Sequence, residues 1–122
     1  MTDNPYFVKG MPEDVSTDHI VRGEALGGLV KCSAIRTTAA CEKARVLHDT
    51  SASATAALGR FITGSLLISE SMKRPTDTQT TIIRCDGPLG GMTCVTDYGF
   101  KCRAYPVENN VPTEYQIGRA HV

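Results

Sequence analysis

Between Thr50 and Met72 the apolar residues Ala54, Ala57, Leu58, Phe61, Leu66, Ile68 and Met72 recur at steps of three and four, the spacing that lines one face of an α-helix. Ile62 and Leu67 widen the stripe until most of the circumference is apolar. That pattern predicts a long buried helix around which the rest of the chain is arranged. Asp49, Thr50 and Ser51 offer acceptors for its free first-turn N–H groups, Lys73 and Arg74 suit its negative end, and Pro75 stops it. Arg60 interrupts the run well short of the ~20 apolar residues that a bilayer span needs, so the helix is read as the core of a soluble domain. Gly59, Gly64 and a run of Ala and Ser residues make it thin enough for neighbours to approach closely.

On the amino-terminal side, residues 19–26 and 29–36 flank Gly27-Gly28, a two-residue hairpin signal. The implied register sets Leu26 against Leu29, Glu24 against Lys31 and Ile20 against Ile35. Val21, Ala25, Val30, Cys32 and Ala34 fall on the other face, which is expected to pack on a helix. Thr37-Thr38 is placed to cap a short helix from Ala39 to His48, with Ala40, Ala44 and Leu47 inward, Cys41 beside them, and Glu42, Lys43 and Arg45 outward.

Beyond the central helix, residues 78–85 read as a strand rich in Thr and Ile. The turn signal 86–91 leads to a strand over 92–96, and Asp97-Tyr98-Gly99 turns the chain into a strand over 100–105. If Thr96 opposes Phe100, Cys94 opposes Cys102, and Ile83, Cys85, Met92, Cys94, Phe100, Cys102 and Ala104 share an inner face. Arg84, Lys101 and Arg103 occupy the wetter side. Residues 107–116 read as a loop, and residues 1–17, with Pro5, Gly10, Pro12 and several acids, as a flexible leader. The fold class is α+β: a hairpin, two helices of which the second is long and buried, then antiparallel strands.

The 122 residues carry 13 basic and 13 acidic side chains, so no basic field argues for nucleic acid or a membrane surface. The amino terminus lacks a basic-then-apolar signal pattern, and the expected setting is the cytoplasm. Five cysteines, Cys32, Cys41, Cys85, Cys94 and Cys102, include no C-x-x-C pair, which disfavours a disulfide framework or a zinc site made from this chain alone. They are expected to be reduced and mostly buried. A Cys94–Cys102 bridge would need strained cross-strand geometry.

The chemistry-bearing alternatives are few. His48 beside Asp49 could form a catalytic pair, and a small thiol enzyme could use Cys85 or Cys41 with His48 as base and backbone N–H groups near Gly90-Gly91 as an oxyanion site. A neighbouring His and Asp without a nucleophile signature is weak evidence. The Gly-rich turn matches neither the P-loop nor the dinucleotide fingerprint, since no helix and no Lys-Ser/Thr follow it. No catalytic, cofactor or metal residue is assigned. A ligand-free structural domain is the third reading.

Residues 117 to 122, Ile117-Gly118-Arg119-Ala120-His121-Val122, are what a common short-read sequencing adapter encodes in this frame, with a stop codon next in register. They are expected to be an artefact of an unfinished gene read. The natural protein is then longer than this chain.

Arg36-Thr37-Thr38 upstream, Thr55-Ala56-Ala57-Leu58-Gly59-Arg60 early in the long helix, Gly87-Pro88-Leu89-Gly90 between strands and Arg103-Ala104-Tyr105 together resemble the amino-terminal part of the heat shock protein 33 family. The resemblance runs from about His19 to Val107. It implies an ATP-independent, redox-regulated holdase that is not an enzyme, binds unfolding client proteins through apolar surface, and often dimerises. It also implies that residues 18–116 are part of the substrate-binding and dimerisation domain. The family's switch, a carboxy-terminal zinc domain of four cysteines whose oxidation to disulfides releases the metal, would lie beyond this chain. None of the five cysteines matches those ligands.

Overall fold

The computed structural model describes residues 18–112, so the expected leader at 1–17 and the residues at 117–122 lie outside the described part. Two antiparallel sheets flank two helices. The first sheet pairs β1 (His19–Ala25) with β2 (Val30–Arg36); the second has the order β3 (Thr78–Arg84), β4 (Gly91–Asp97), β5 (Lys101–Pro106). Between the sheets run α1 (Thr38–His48) and α2 (Ala52–Ile68).

The central helix is shorter than its hydrophobic pattern suggests. Ser51 caps it, its Oγ accepting the Ala54 N–H at 3.5 Å. After Ile68 the chain tightens into a 3-10 turn, Ser69–Ser71, and Met72 is extended. Lys73 and Arg74 therefore lie past the helix end, where Asp77 accepts both of their backbone N–H groups. Ala54, Leu58, Phe61, Ile62 and Leu66 are buried, whereas Ile68 is exposed. The core is built where that buried stripe meets Met92, Cys94 and Ala104 of the second sheet and Ala44 of α1. Val111 is also buried, and the segment leading to it is tied to the start of α2: Ser51 donates its N–H to Asn109, and Val111 donates to Ser51 Oγ at 2.9 Å.

The hairpin keeps the expected register, with Ile20 opposite Ile35 and Glu24 opposite Lys31. Its reversal uses four residues, however: the last pair is Ala25 with Val30, and Leu26, Gly27 and Gly28 all take positive φ. The face turned to the core is also the opposite of the expected one. Ile35 packs on the core, while Cys32 and Ala34 are exposed and Val30 stands partly free. Ile20 and Ile35 are the bulkier apolar pair, and the residues between them and the tip on that face, Arg22 and Ser33, both reach the Glu70 carboxylate beyond the end of α2.

In the second sheet the β4–β5 register is displaced by two residues from expectation. Thr96 opposes Cys102, Cys94 opposes Ala104, and Asp97 opposes Lys101. The turn is made by Tyr98, Gly99 and Phe100, the last two with φ of 89° and 63°. With Phe100 in the turn, its ring packs on the core and lies 5.4 Å from the Arg22 guanidinium of the hairpin. A shift of two preserves side-chain faces. Ile83, Met92, Cys94, Cys102 and Ala104 therefore still share a side, but Cys85 falls beyond β3 and is exposed.

Candidate functional site

The thiol-enzyme constellation does not assemble. His48 Nε2 donates to the Ala104 carbonyl at 2.8 Å, which ties α1 to β5. Asp49 is the left-handed C-cap of α1, with φ of 51°. Cys41 precedes His48 by seven residues on the same helix, roughly 10 Å along its axis. Its Sγ faces the Gly59 carbonyl at 3.6 Å and the Thr37 hydroxyl at 3.4 Å. Cys85 is exposed beyond β3, and its backbone N–H donates to Gly90. Among the described residues, His48 is thus engaged with β5 and bonded to neither thiol.

The glycine turn is likewise occupied by its own backbone. The Gly90 N–H donates to Gly87, and the N–H groups of Val107 and Glu108 donate to Gly91 and Leu89. At Gly91 φ is 144°, and a Cβ would sit 2.4 Å from the Ile83 carbonyl oxygen. Glycine is required there because β3 and β4 meet without room for a side chain. This is turn chemistry, not an anion cradle.

What the molecule does present is apolar surface. At the hairpin tip Leu26 and Leu29 are 75% and 87% exposed, with Val30 beside them. Leu26 holds φ of 52°, a conformation that a branched residue adopts only at a cost of about 1–2 kcal/mol. On α1, Val46 and Leu47 are exposed, so Leu47 departs from its expected inward position. Leu47 instead rims a cavity of about 490 Å³ between α1 and β5, together with Phe100, Cys102 and Tyr105. Ile82 and Ile83 add an exposed apolar step on the edge strand β3.

Two polar residues that hold these surfaces in place were not foreseen. Asp18 caps α1 with both carboxylate oxygens, each 2.9 Å from an N–H of Ala39 or Ala40. The expected cap, Thr37, instead bonds Thr63 Oγ1 at 2.7 Å. Glu70 clasps the hairpin, and its carboxyl is held below its ordinary range by the Ser33 hydroxyl first and by Arg22 second. An acid inside an otherwise apolar run was the available signal for Glu70; Asp18 sits 21 residues from its N–H partner and left none.

A model of the Hsp33 protein family matches residues 18–122. That span covers both sheets and both helices. The chain belongs to the Hsp33 family. Among curated relatives, the 33 kDa chaperonin of Symbiobacterium thermophilum is 42% identical over 97 residues, which are 80% of this chain and 33% of that protein. The 33 kDa chaperonin of Thermus thermophilus is 41% identical over 87 residues, 70% of this chain and 26% of that protein. That of Lachnoclostridium phytofermentans is 38% identical over 94 residues, 77% and 32% respectively. This Hsp33-family chain thus spans about a third of the length of these relatives. No helix among its described residues is long and apolar enough to cross a membrane.

Proposed function

We propose that this chain is an amino-terminal part of an ATP-independent, redox-regulated holdase that binds apolar segments of unfolding proteins. The supporting observation is the hairpin tip, where Leu26 and Leu29 stand almost free of the fold and Leu26 is held in a costly backbone conformation. Exposed apolar clusters on a soluble scaffold mark sites of contact with other chains. Such a surface recognises greasiness without sequence, which suits clients that share only their unfolding. The hairpin's outward side continues it with Val30, Cys32 and Ala34. Family membership and the chaperonin name that the relatives carry point the same way. The same reading includes a cytoplasmic homodimer that takes proteins, not nucleic acid or membrane, as partners, and no enzymatic turnover.

Zinc does not fit the cysteines of this chain. Cys32 and Cys85 are exposed on separate elements, and no group of three or more His, Cys, Asp or Glu side chains converges among the described residues. The zinc-dependent redox switch that this reading includes is proposed to lie in sequence outside the described residues.

Light scattering of a thermally unfolding client, with and without the full-length protein in its oxidised state, tests the proposal. Suppression should be strong in the parent and weak in a Leu26→Asn/Leu29→Ser variant, with folding stability unchanged or slightly higher because Asn tolerates left-handed φ. No suppression by the oxidised parent would refute it.

A further inference from the structure

We infer that the cleft between α1 and β5 is a binding site for an amphipathic anion, a small molecule with an apolar body and one carboxylate head. The cleft is open because small residues line both of its walls. Ala40 and Ala44 on α1 and Ala104 on β5 border a space of about 490 Å³, within the ~300–1,000 Å³ range of small-molecule sites. It follows α1 from Ala40 to His48, roughly 12 Å along the helix axis. Its floor is firm: Ile62 is 1% exposed and belongs to the core together with Ala44 and Ala104. The bond from His48 Nε2 to the Ala104 carbonyl at 2.8 Å ties one wall to the other.

Two kinds of chemistry line this cleft. Apolar side chains form its inside and its lip, where Leu47 and Tyr105 are 69% and 51% exposed. Its charged lining residues are Lys43 from α1 and Arg103 from β5, and no carboxylate lies among them. The neighbouring acids are engaged elsewhere or held loosely. Glu42 is bonded through both oxygens to Arg45, and among the described residues no carboxylate pairs with Lys43. Asp97 stands 3.9 Å from Arg103, whose side chain is 77% exposed. An exposed pair of this kind is weak and easily exchanged for another anion.

An apolar body in the cleft covers the Phe100 ring, Leu47 and Tyr105, while its carboxylate offers Lys43 and Arg103 the counter-charge that the lining residues lack. A neutral ligand forgoes that attraction, and a cationic one meets repulsion from both walls. Selectivity for the anionic amphiphile is therefore the signature of the site. The cleft shares no residue with the hairpin tip, and its occupancy does not depend on whether the chain holds clients.

Cys102 lines the cleft and is half-buried, whereas Cys32 and Cys85 are exposed elsewhere, so alkylation rates report where a ligand sits. The test treats the reduced full-length protein with N-ethylmaleimide in the presence of decanoate, decanol or decyltrimethylammonium, and maps the labelled peptides by mass spectrometry. Decanoate is expected to slow alkylation of Cys102 and to leave Cys32 and Cys85 unchanged, while the neutral and cationic amphiphiles at equal concentration give little protection. Lys43→Gln/Arg103→Gln should raise the half-protecting decanoate concentration about fivefold, and the Leu26→Asn/Leu29→Ser variant should protect Cys102 as the parent does. Equal protection by all three amphiphiles, shielding of Cys32 or Cys85 alongside Cys102, or new labelling of buried Cys94 would overturn the assignment. The three-way comparison on the unsubstituted protein decides the matter even if a variant folds poorly.

Discussion

The second sheet and the hairpin are both antiparallel and both rest on the long helix, yet they are held in different ways. The inner side of β3–β4–β5 is sealed by apolar packing: Met92, Cys94 and Ala104 interlock with Leu58, Phe61, Ile62 and Leu66. The hairpin touches that core through Ile35 and is otherwise held by polar and charged contacts, the Glu70 clasp and the Arg22–Phe100 stack. Packing of the first kind is cooperative and insensitive to pH, whereas contacts of the second kind are partly exposed and individually weak. One fold thus contains a rigid base and a loosely fastened arm, and the arm carries the most exposed apolar side chains.

The comparison is broken most severely from the base. Leu58→Ala removes a side chain that is 1% exposed from the centre of the core, and is expected to lower global stability by about 2–5 kcal/mol, measured by urea unfolding. The hairpin should melt with the sheet in that variant, because the helix supports both. Gly91→Ala comes next. It forces a side chain into the Ile83 carbonyl at a φ only glycine tolerates, for a backbone cost alone of about 1–3 kcal/mol; calorimetry should show a lower Tm. Asp18→Ala removes the cap of α1 and is expected to cost about 1 kcal/mol, with amide exchange rising first at Ala39 and Ala40.

The smallest effect sharpens the contrast most. Glu70 titrates below its ordinary 4.5 in the fold. A carboxyl depressed in this way contributes stability that is fully present above its unfolded value and is lost as pH falls through its folded value. Below about pH 4.5 the hairpin should therefore loosen before the sheet, seen as faster exchange of β2 amides while β4 amides stay protected. Loosening of both together, or at a higher pH, would show that the clasp does not fasten the arm.

Much of this arrangement was legible in the sequence because periodicity and turn residues act locally. The apolar stripe located α2, Gly27-Gly28 set the hairpin register, and Thr-rich and Gly-rich stretches bracketed β3 and β4. What was lost depended on contacts distant in the chain. Which face of the hairpin turns inward is decided by Glu70, 37 residues beyond Ser33. The two-residue displacement in β4–β5 follows from Phe100 preferring the core and Arg22 to a strand position. The cap of α1 passed from Thr37 to Asp18 because the Thr37 hydroxyl is bonded to Thr63 across the helix pair. The apolar surface was legible only as composition; which leucines remain uncovered needed the packing.

The most direct test of the division into base and arm is a hydrogen-exchange footprint of the full-length oxidised protein with and without an unfolding client. Protection of residues 26–30, with β4 amides unchanged, is the predicted result. A footprint that leaves the hairpin tip as exposed as in the free protein would contradict it.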